Sequence, residues 1–160
     1  HDAGSLPRYQ EGLAWGLEWA SKAGVMLALE NVDGHDVASV TQAMVFVNAF
    51  NSPWFQVYPD IGNLSEHGLD VCAELELARG HMVGLHVKDT RPGEPRRVPF
   101  GAGTVPFVTA FQKLAELNFS GPVLLEMWND DSPDSLRIVQ ESRQWVLARM
   151  QAGGLISQSL

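Results

Sequence analysis

The sequence predicts an α/β fold with a parallel sheet. Four short apolar runs of strand length alternate with segments whose apolar residues recur at helical spacing, and Gly or Pro punctuates the turns between them. The first helix is predicted over Pro7 to Ala23, where Leu13, Leu17 and Ala20 share a face, with Ser5 as N-cap, Pro7 in the first turn and Gly24 as the stop. Val25 to Glu30 then reads as a strand covered on both faces, apolar until the charge at its C-terminal end. Val37 to Asn51 is the second helix, and Asn51-Ser52-Pro53 breaks it before a strand over Trp54 to Tyr58 that ends at Pro59-Asp60. Leu69 to Arg79 is helical and Gly80 stops it; Met82 to Val87 forms the third strand, and Lys88 to Gly103 reads as a polar, basic loop. Val105 to Leu117 is helical, Gly121-Pro122 punctuates, and Val123 to Met127 is the fourth strand. A last helix runs from about Ser132 to Met150, leaving 151–160 as a loosely attached tail on a single domain.

Two architectures accommodate this order: an open doubly wound sheet, or part of a (β/α)8 barrel, whose eight units normally take ~250 residues. No Gly-rich phosphate fingerprint follows the first strand, which weakens the dinucleotide-binding alternative. With 160 residues, 45% of them hydrophobic, the chain has apolar mass for one core. A formal net charge of −8 argues against sequence-independent nucleic-acid binding, which needs a clustered excess of Lys and Arg. Cys72 is the single cysteine, so a disulfide scaffold is excluded; it lies in the helical stretch VCAELELA with no adjoining base to activate it, and reads as a buried thiol. No apolar run approaches the ~20 residues of a membrane span and no signal peptide opens the chain, so a cytoplasmic location is expected. The opening HDAGSLPRYQ, without an initiator Met, suggests an N-terminal part that is not represented.

Glu30, Asp60, His86 and Glu126 each fall at or just past the end of a predicted strand, at separations of 30, 26 and 40 residues that approximate one βα repeat. Taken singly, a Glu after a strand is more often solvated than a ligand. Four in phase are different, because the strand C-termini of a parallel barrel open on one face and would bring them together. Three carboxylates so gathered repel one another unless a cation neutralises them, and one imidazole among oxygen donors suits a divalent metal ion such as Mn²⁺, Zn²⁺, Co²⁺ or Mg²⁺. His35, His67 and His81 lack this phase and read as loop or helix-end residues. Trp54, Trp128 and Phe100 are placed near the same rim, as floor of a pocket or as packing.

The segments NSPWFQVYPDIGNLS, GLHVKDTRPGEPRRVPFGAG and GPVLLEMWND resemble the C-terminal half of the L-xylulose-5-phosphate (L-ribulose-5-phosphate) 3-epimerases of the xylose-isomerase-like barrel superfamily, over about Tyr9 to Met150. The resemblance implies the C-terminal half of a (β/α)8 TIM barrel and metal ligands at Glu30, Asp60, His86 and Glu126. It further implies that Glu30 and Glu126 are the catalytic acid/base pair, acting through a cis-enediolate of a pentulose 5-phosphate in ascorbate or pentose use. An aldose-ketose isomerase of a related sugar phosphate follows the same logic, and a non-catalytic half-barrel is a third reading.

Epimerases of non-phosphorylated sugars in that superfamily usually carry a substrate-binding His three residues after the metal Asp and an Arg six after the metal His; here those positions are Asn63 and Pro92, with Arg91 one step earlier. The departures match the phosphate-ester branch. Asn63, Lys88, Arg91 and Trp128 are the expected substrate-binding residues, and Lys88, Arg91, Arg96 and Arg97 form the basic cluster suited to a phosphate. Four strands are half of eight, so the open edges imply self-association or a missing N-terminal half-barrel as partner.

Overall fold

The computed structural model describes residues 4–34, 36–128, 131 and 133–157; His35 and the end of the tail, 158–160, lie outside the described residues. In chain order the elements are α1 (Ser5–Ala23), β1 (Leu27–Leu29), α2 (Val40–Phe50), β2 (Phe55–Val57), α3 (Ile61–Glu66), α4 (Val71–Leu77), β3 (Leu85–Val87), β4 (Asp89–Arg91), β5 (Glu94–Val98), α5 (Phe107–Glu116), β6 (Val123–Leu125) and α6 (Ser135–Ala152).

β1 pairs in parallel with β2, and β3 with β6. Parallel bridges Val57↔Met82 and Asp60↔His86 join the two pairs, with the His86 N–H donating to the Pro59 carbonyl at 2.8 Å. The order β1-β2-β3-β6 is therefore continuous and sequential, as in consecutive units of a barrel wall. Val57, Leu85 and Val87 on the strands pack with Val40 and Val47 of α2, Leu75 of α4, and Phe111 and Leu114 of α5, so the core lies between the sheet and its helices. None of the described helices is long and apolar enough to cross a membrane.

Several boundaries differ from the sequence expectation, each for a local reason. Gly4, not Ser5, occupies the N-cap of α1 without a side-chain bond, and Ser5 is the first helical residue. The predicted helix from Leu69 is preceded by an extra one, α3, because Asp60 accepts the Asn63 N–H and starts a turn directly at the strand end. Asp70 then caps α4 in the same way through the Ala73 N–H at 3.1 Å. The expected loop after β3 is an antiparallel hairpin, β4–β5, closed by Pro92-Gly93 with Gly93 at φ 77. Residues 151–157, expected to hang loosely, are docked: α6 continues to Ala152, Gly153 is buried, and Leu155 packs on the core and donates its N–H to the Met150 carbonyl.

The Asp89 carboxylate fixes the return from the hairpin. Buried to 3% exposure, it accepts the N–H groups of Thr90, Gly101 and Gly103 at 3.0, 2.8 and 2.9 Å. A Cβ on Gly103 would overlap the same carboxylate, which accounts for the glycine there. Thr90 extends the anchor by donating from Oγ1 to the Gly62 carbonyl at 2.8 Å, which ties the hairpin to α3. Asp89→Ala strands these buried donors and is expected to cost about 3 kcal/mol or more. Urea denaturation read by circular dichroism checks this; a loss below about 1 kcal/mol would contradict the anchoring role.

Candidate metal centre

Each of the four residues lies in a strand or within three residues of its C-terminal end. Glu30 follows β1, Glu126 follows β6, His86 is the middle residue of β3, and Asp60 lies three residues past β2 as the N-cap of α3. Asp60 is held from two sides. Its N–H donates to Asn31 Oδ1 at 2.9 Å and its carbonyl accepts from Asn31 Nδ2 at 3.0 Å, so the residue after Glu30 clips the ends of β1 and β2 together. Asn63 then donates from Nδ2 to the Asn31 carbonyl at 2.8 Å. Asn31 is 1% exposed and was missed by sequence reasoning; its position beside a strand-end Glu was the only available signal.

One donor atom from each of Glu30, Asp60, His86 and Glu126 lies within 4.8 Å of the others. His86 Nδ1 is 2.5 Å from Glu30 Oε1 and 3.7 Å from Glu126 Oε2. Asp60 is fully buried, and its Oδ2 makes no hydrogen bond; the nearest cation is Lys88 Nζ, at 3.4 Å. An ionised oxygen so placed is costly unless it meets a positive partner. That orphan oxygen, together with the carboxylates of Glu30 and Glu126 and one imidazole nitrogen at ligand spacing, fits a divalent cation.

Lys88 is the internal counter-charge. Only 4% exposed, it lies 3.3 Å from Glu126 Oε1 as well as beside Asp60, with Nζ 5.4 Å from the Trp128 ring centroid. It reaches this place because Gly62, on the first turn of α3, has no side chain: a Cβ there would overlap the Lys88 stem and backbone. Burial pushes the Asp60 carboxyl up to about 7, with Glu126 adding to the rise and Lys88 and the Asn63 N–H opposing it. The Glu30 hydrogen bond holds the His86 imidazole above its ordinary value, helped by the charges of Glu30, Asp60 and Glu126 and opposed by desolvation.

Glu30, His86 and Glu126 line a cavity of about 330 Å³ with Asn63, Lys88, Arg96 and Trp128, and the fully buried Asp60 adjoins it through its bridge to His86. Asn63 Oδ1, buried and without a partner, is an acceptor at this site. Thus Asn63, Lys88 and Trp128 are brought to the ligand set and Arg91 is not. Its Nε donates to the Ala102 carbonyl at 2.8 Å and its guanidinium meets Glu94. Arg96, on β5 across the hairpin turn, is the arginine at the cavity instead. Trp54 precedes β2 and so lies at the opposite end of the strands, while Phe100 packs against Phe107 and Trp145 and lines a hollow that includes Glu126 and Trp128. His67 and His81 are engaged elsewhere, with the Val32 carbonyl and the Gln56 side chain. Burial, then the Asp70 charge, pushes the Cys72 thiol up, consistent with an inert sulfhydryl.

Residues 1–149 match the xylose isomerase-like TIM barrel family. The chain is 44% identical over 149 residues to L-ribulose-5-phosphate 3-epimerase UlaE of Escherichia coli, covering 93% of this chain and 52% of that protein. It therefore spans about half the length of the curated relatives it matches. Among solved structures, an L-ribulose 3-epimerase superposes on 100% of this chain and 60% of its own at a TM-score of 0.82 and 16% identity. A D-psicose 3-epimerase from Clostridium cellulolyticum superposes on 98% of this chain and 58% of its own at 0.76 and 18%. At those identities the superpositions establish the shared fold.

The two raised groups set a pH signature. In the metal-free protein, Asp60 and His86 hold protons more tightly folded than unfolded, so their stabilisation is full below the unfolded values and is lost as pH rises through the folded ones. A bound cation needs Asp60 ionised and His86 neutral, and so relieves a cost that is largest at high pH. The rise in melting temperature on adding Mn²⁺ is expected to be larger at pH 8 than at pH 6, by differential scanning fluorimetry. An equal rise at both would contradict the assignment.

Proposed function

This chain belongs to the xylose isomerase-like TIM barrel family, and from that membership we propose that it forms the metal-binding half of a divalent-metal-dependent 3-epimerase acting on a pentulose 5-phosphate. The observation that carries the reading is the orphan Asp60 oxygen within the four-residue ligand set, at the strand ends where barrel enzymes keep their chemistry. The name of the 44% identical relative, an L-ribulose-5-phosphate 3-epimerase, supplies the substrate class.

Asp60 and His86 hold the cation, which is Mn²⁺, Zn²⁺, Co²⁺ or Mg²⁺ on the donor set. When bound, the cation stabilises the negative charge that develops on the sugar oxygens as the proton leaves C3. Glu30 and Glu126 approach the site from the first and last strands of the sheet. One removes the C3 proton and keeps it, and the other, protonated beforehand, delivers its own proton to the opposite face of the planar cis-enediolate, which inverts the carbon. Each carboxylate has two oxygens, so holding the cation and moving a proton are compatible. Lys88 keeps its ammonium against Glu126 and Trp128 borders the pocket, where its ring excludes water from the reacting face.

The other half of the wall is a partner in this reading. Among the described residues β1 pairs with β2 alone and β6 with β3 alone, so both outer edges are open. Val25, Met26 and Leu124 beside those edges are exposed, as are Trp15 and Trp19 on α1 and Leu136 on α6. An apolar hollow of about 530 Å³ beside Glu30, lined by Leu6, Tyr9, Leu29, Val32 and Phe46, lies against β1 and is the place of an adjoining βα unit rather than of chemistry. Four further units, from a missing N-terminal half-barrel or by self-association with a second copy, cover these surfaces.

Incubation with Mn²⁺ and L-ribulose 5-phosphate in D₂O, followed by ¹H NMR, tests the reaction. Exchange at C3 is expected, and Glu126→Gln should slow it at least about 100-fold, the usual contribution of a positioned acid or base. Exchange at C1 would favour aldose-ketose isomerisation, and unchanged C3 exchange in the variant would sink the role of Glu126.

A further inference from the structure

The ladder of the β4–β5 hairpin is irregular where it passes the metal centre. Asp89 pairs with Val98 and Arg91 with Glu94, so the single residue Thr90 faces the three residues Pro95, Arg96 and Arg97. Bulges of this kind re-aim side chains and are common beside active sites. Arg97 sits within it at φ 64, a left-handed conformation that L side chains rarely adopt, so the distortion is held in place by its surroundings. Its consequence is that Arg96 reaches the cavity of the four-residue cluster while Arg97 lines an adjoining hollow with Phe100 and Met127, on the other side of Glu126 and Trp128, which border both.

Arg96 does not meet a ligand carboxylate there. Its Nε donates to Asp33 Oδ2 at 2.6 Å, and Asp33 stands three residues beyond Glu30 on the segment between β1 and α2. The contact bridges the two sides of the cavity mouth across 63 residues of sequence. It is a single bond rather than a bidentate fork, between side chains 58% and 20% exposed, and such surface pairs are weak. The other cations nearby are committed: Lys88 to Asp60 and Glu126, Arg91 to the Ala102 carbonyl and Glu94.

We propose that the bulge presents Arg96 as an anion latch over the metal-centre cavity, with Asp33 as a resident counter-ion that the phosphate of a bound sugar ester displaces. The proposal rests on the sugar-phosphate reading of the site. A phosphate monoester carries nearly two negative charges at neutral pH and accepts two parallel N–H bonds from a guanidinium, so it outcompetes one carboxylate oxygen held by one bond. In this scheme Asp33 keeps Arg96 folded over the cavity in the absence of substrate, at a small cost to ester binding, and a sugar that brings no anion leaves the pair intact. The ligand class is a phosphate monoester of a small polyol, with the ester group under β5 and the polyol toward Asn63 and Lys88.

The test compares the Mn²⁺-loaded wild type, Arg96→Gln and Asp33→Asn in calorimetric titrations with L-ribulose 5-phosphate and with L-ribulose. The latch predicts that the wild type prefers the ester. Arg96→Gln should weaken ester binding at least about tenfold, the scale of a lost charge-assisted hydrogen bond, and leave L-ribulose within about twofold. Asp33→Asn should strengthen ester binding about 2- to 5-fold, the scale of a released surface pair, again with L-ribulose unchanged. An Arg96→Gln protein with the wild-type preference overturns the latch alone, as does loss of both sugars alike or a weakened ester in Asp33→Asn. A wild type that binds the ester no better than the free sugar overturns the sugar-phosphate reading itself.

Discussion

Everything around the site follows from bringing three carboxylates together at the strand ends. Two unit charges ~4 Å apart interact by about 4 kcal/mol at an effective dielectric near 20, so the donors of Glu30, Asp60 and Glu126, within 4.8 Å of one another, are unstable company without positive charge. The chain provides part of it. Lys88 is drawn into the interior against Asp60 and Glu126, and the His86 imidazole stands against Glu30. With three negative carboxylates and one ammonium, a divalent cation brings the cluster to neutrality. A buried Asp60 oxygen with no hydrogen bond marks where that charge belongs.

The fold makes this crowding tolerable by fixing the backbone before the side chains meet. Asn31 clips two strand ends together, Asp60 caps α3, and Asp89 gathers the returning loop, each through buried hydrogen bonds to main-chain groups. Such anchors hold donor atoms to a geometry that a mobile loop would not. Gly62 serves the same end by making room, since any side chain there would collide with the lysine that balances the cluster. Among the described residues the two outer strands carry open edges, and Tyr9, an exposed aromatic residue on α1, lines the apolar hollow beside Glu30.

The clustering of Glu30, Asp60, His86 and Glu126 was legible in the sequence because it obeys the period of the fold: a residue at or near the end of each apolar run, one per βα unit. The parallel order and the helices were legible for the same reason. What escaped were features set by non-local geometry or by short polar contacts. The hairpin after β3 has no apolar alternation, so its Pro92-Gly93 turn was its one sign. Arg91 and Arg96 are indistinguishable by composition, and the bulge that turns one toward the cavity and leaves the other on the Ala102 carbonyl exists only once the hairpin has formed. Trp54 was placed at the wrong end by counting from the strand it begins rather than from the strand's direction. Asn31 and Asp89 were passed over because an anchor buried by tertiary contact looks like any other polar residue beside a strand.

The central claim is that Glu30, Asp60, His86 and Glu126 form one cation site. Metal content of the purified protein by inductively coupled plasma mass spectrometry, after loading with Mn²⁺ and gel filtration, tests it most directly. One equivalent per chain is expected in the wild type, with loss of that equivalent in Asp60→Asn and the circular dichroism spectrum retained. A folded wild type that holds no metal, or an Asp60→Asn protein that holds it as firmly, would contradict it.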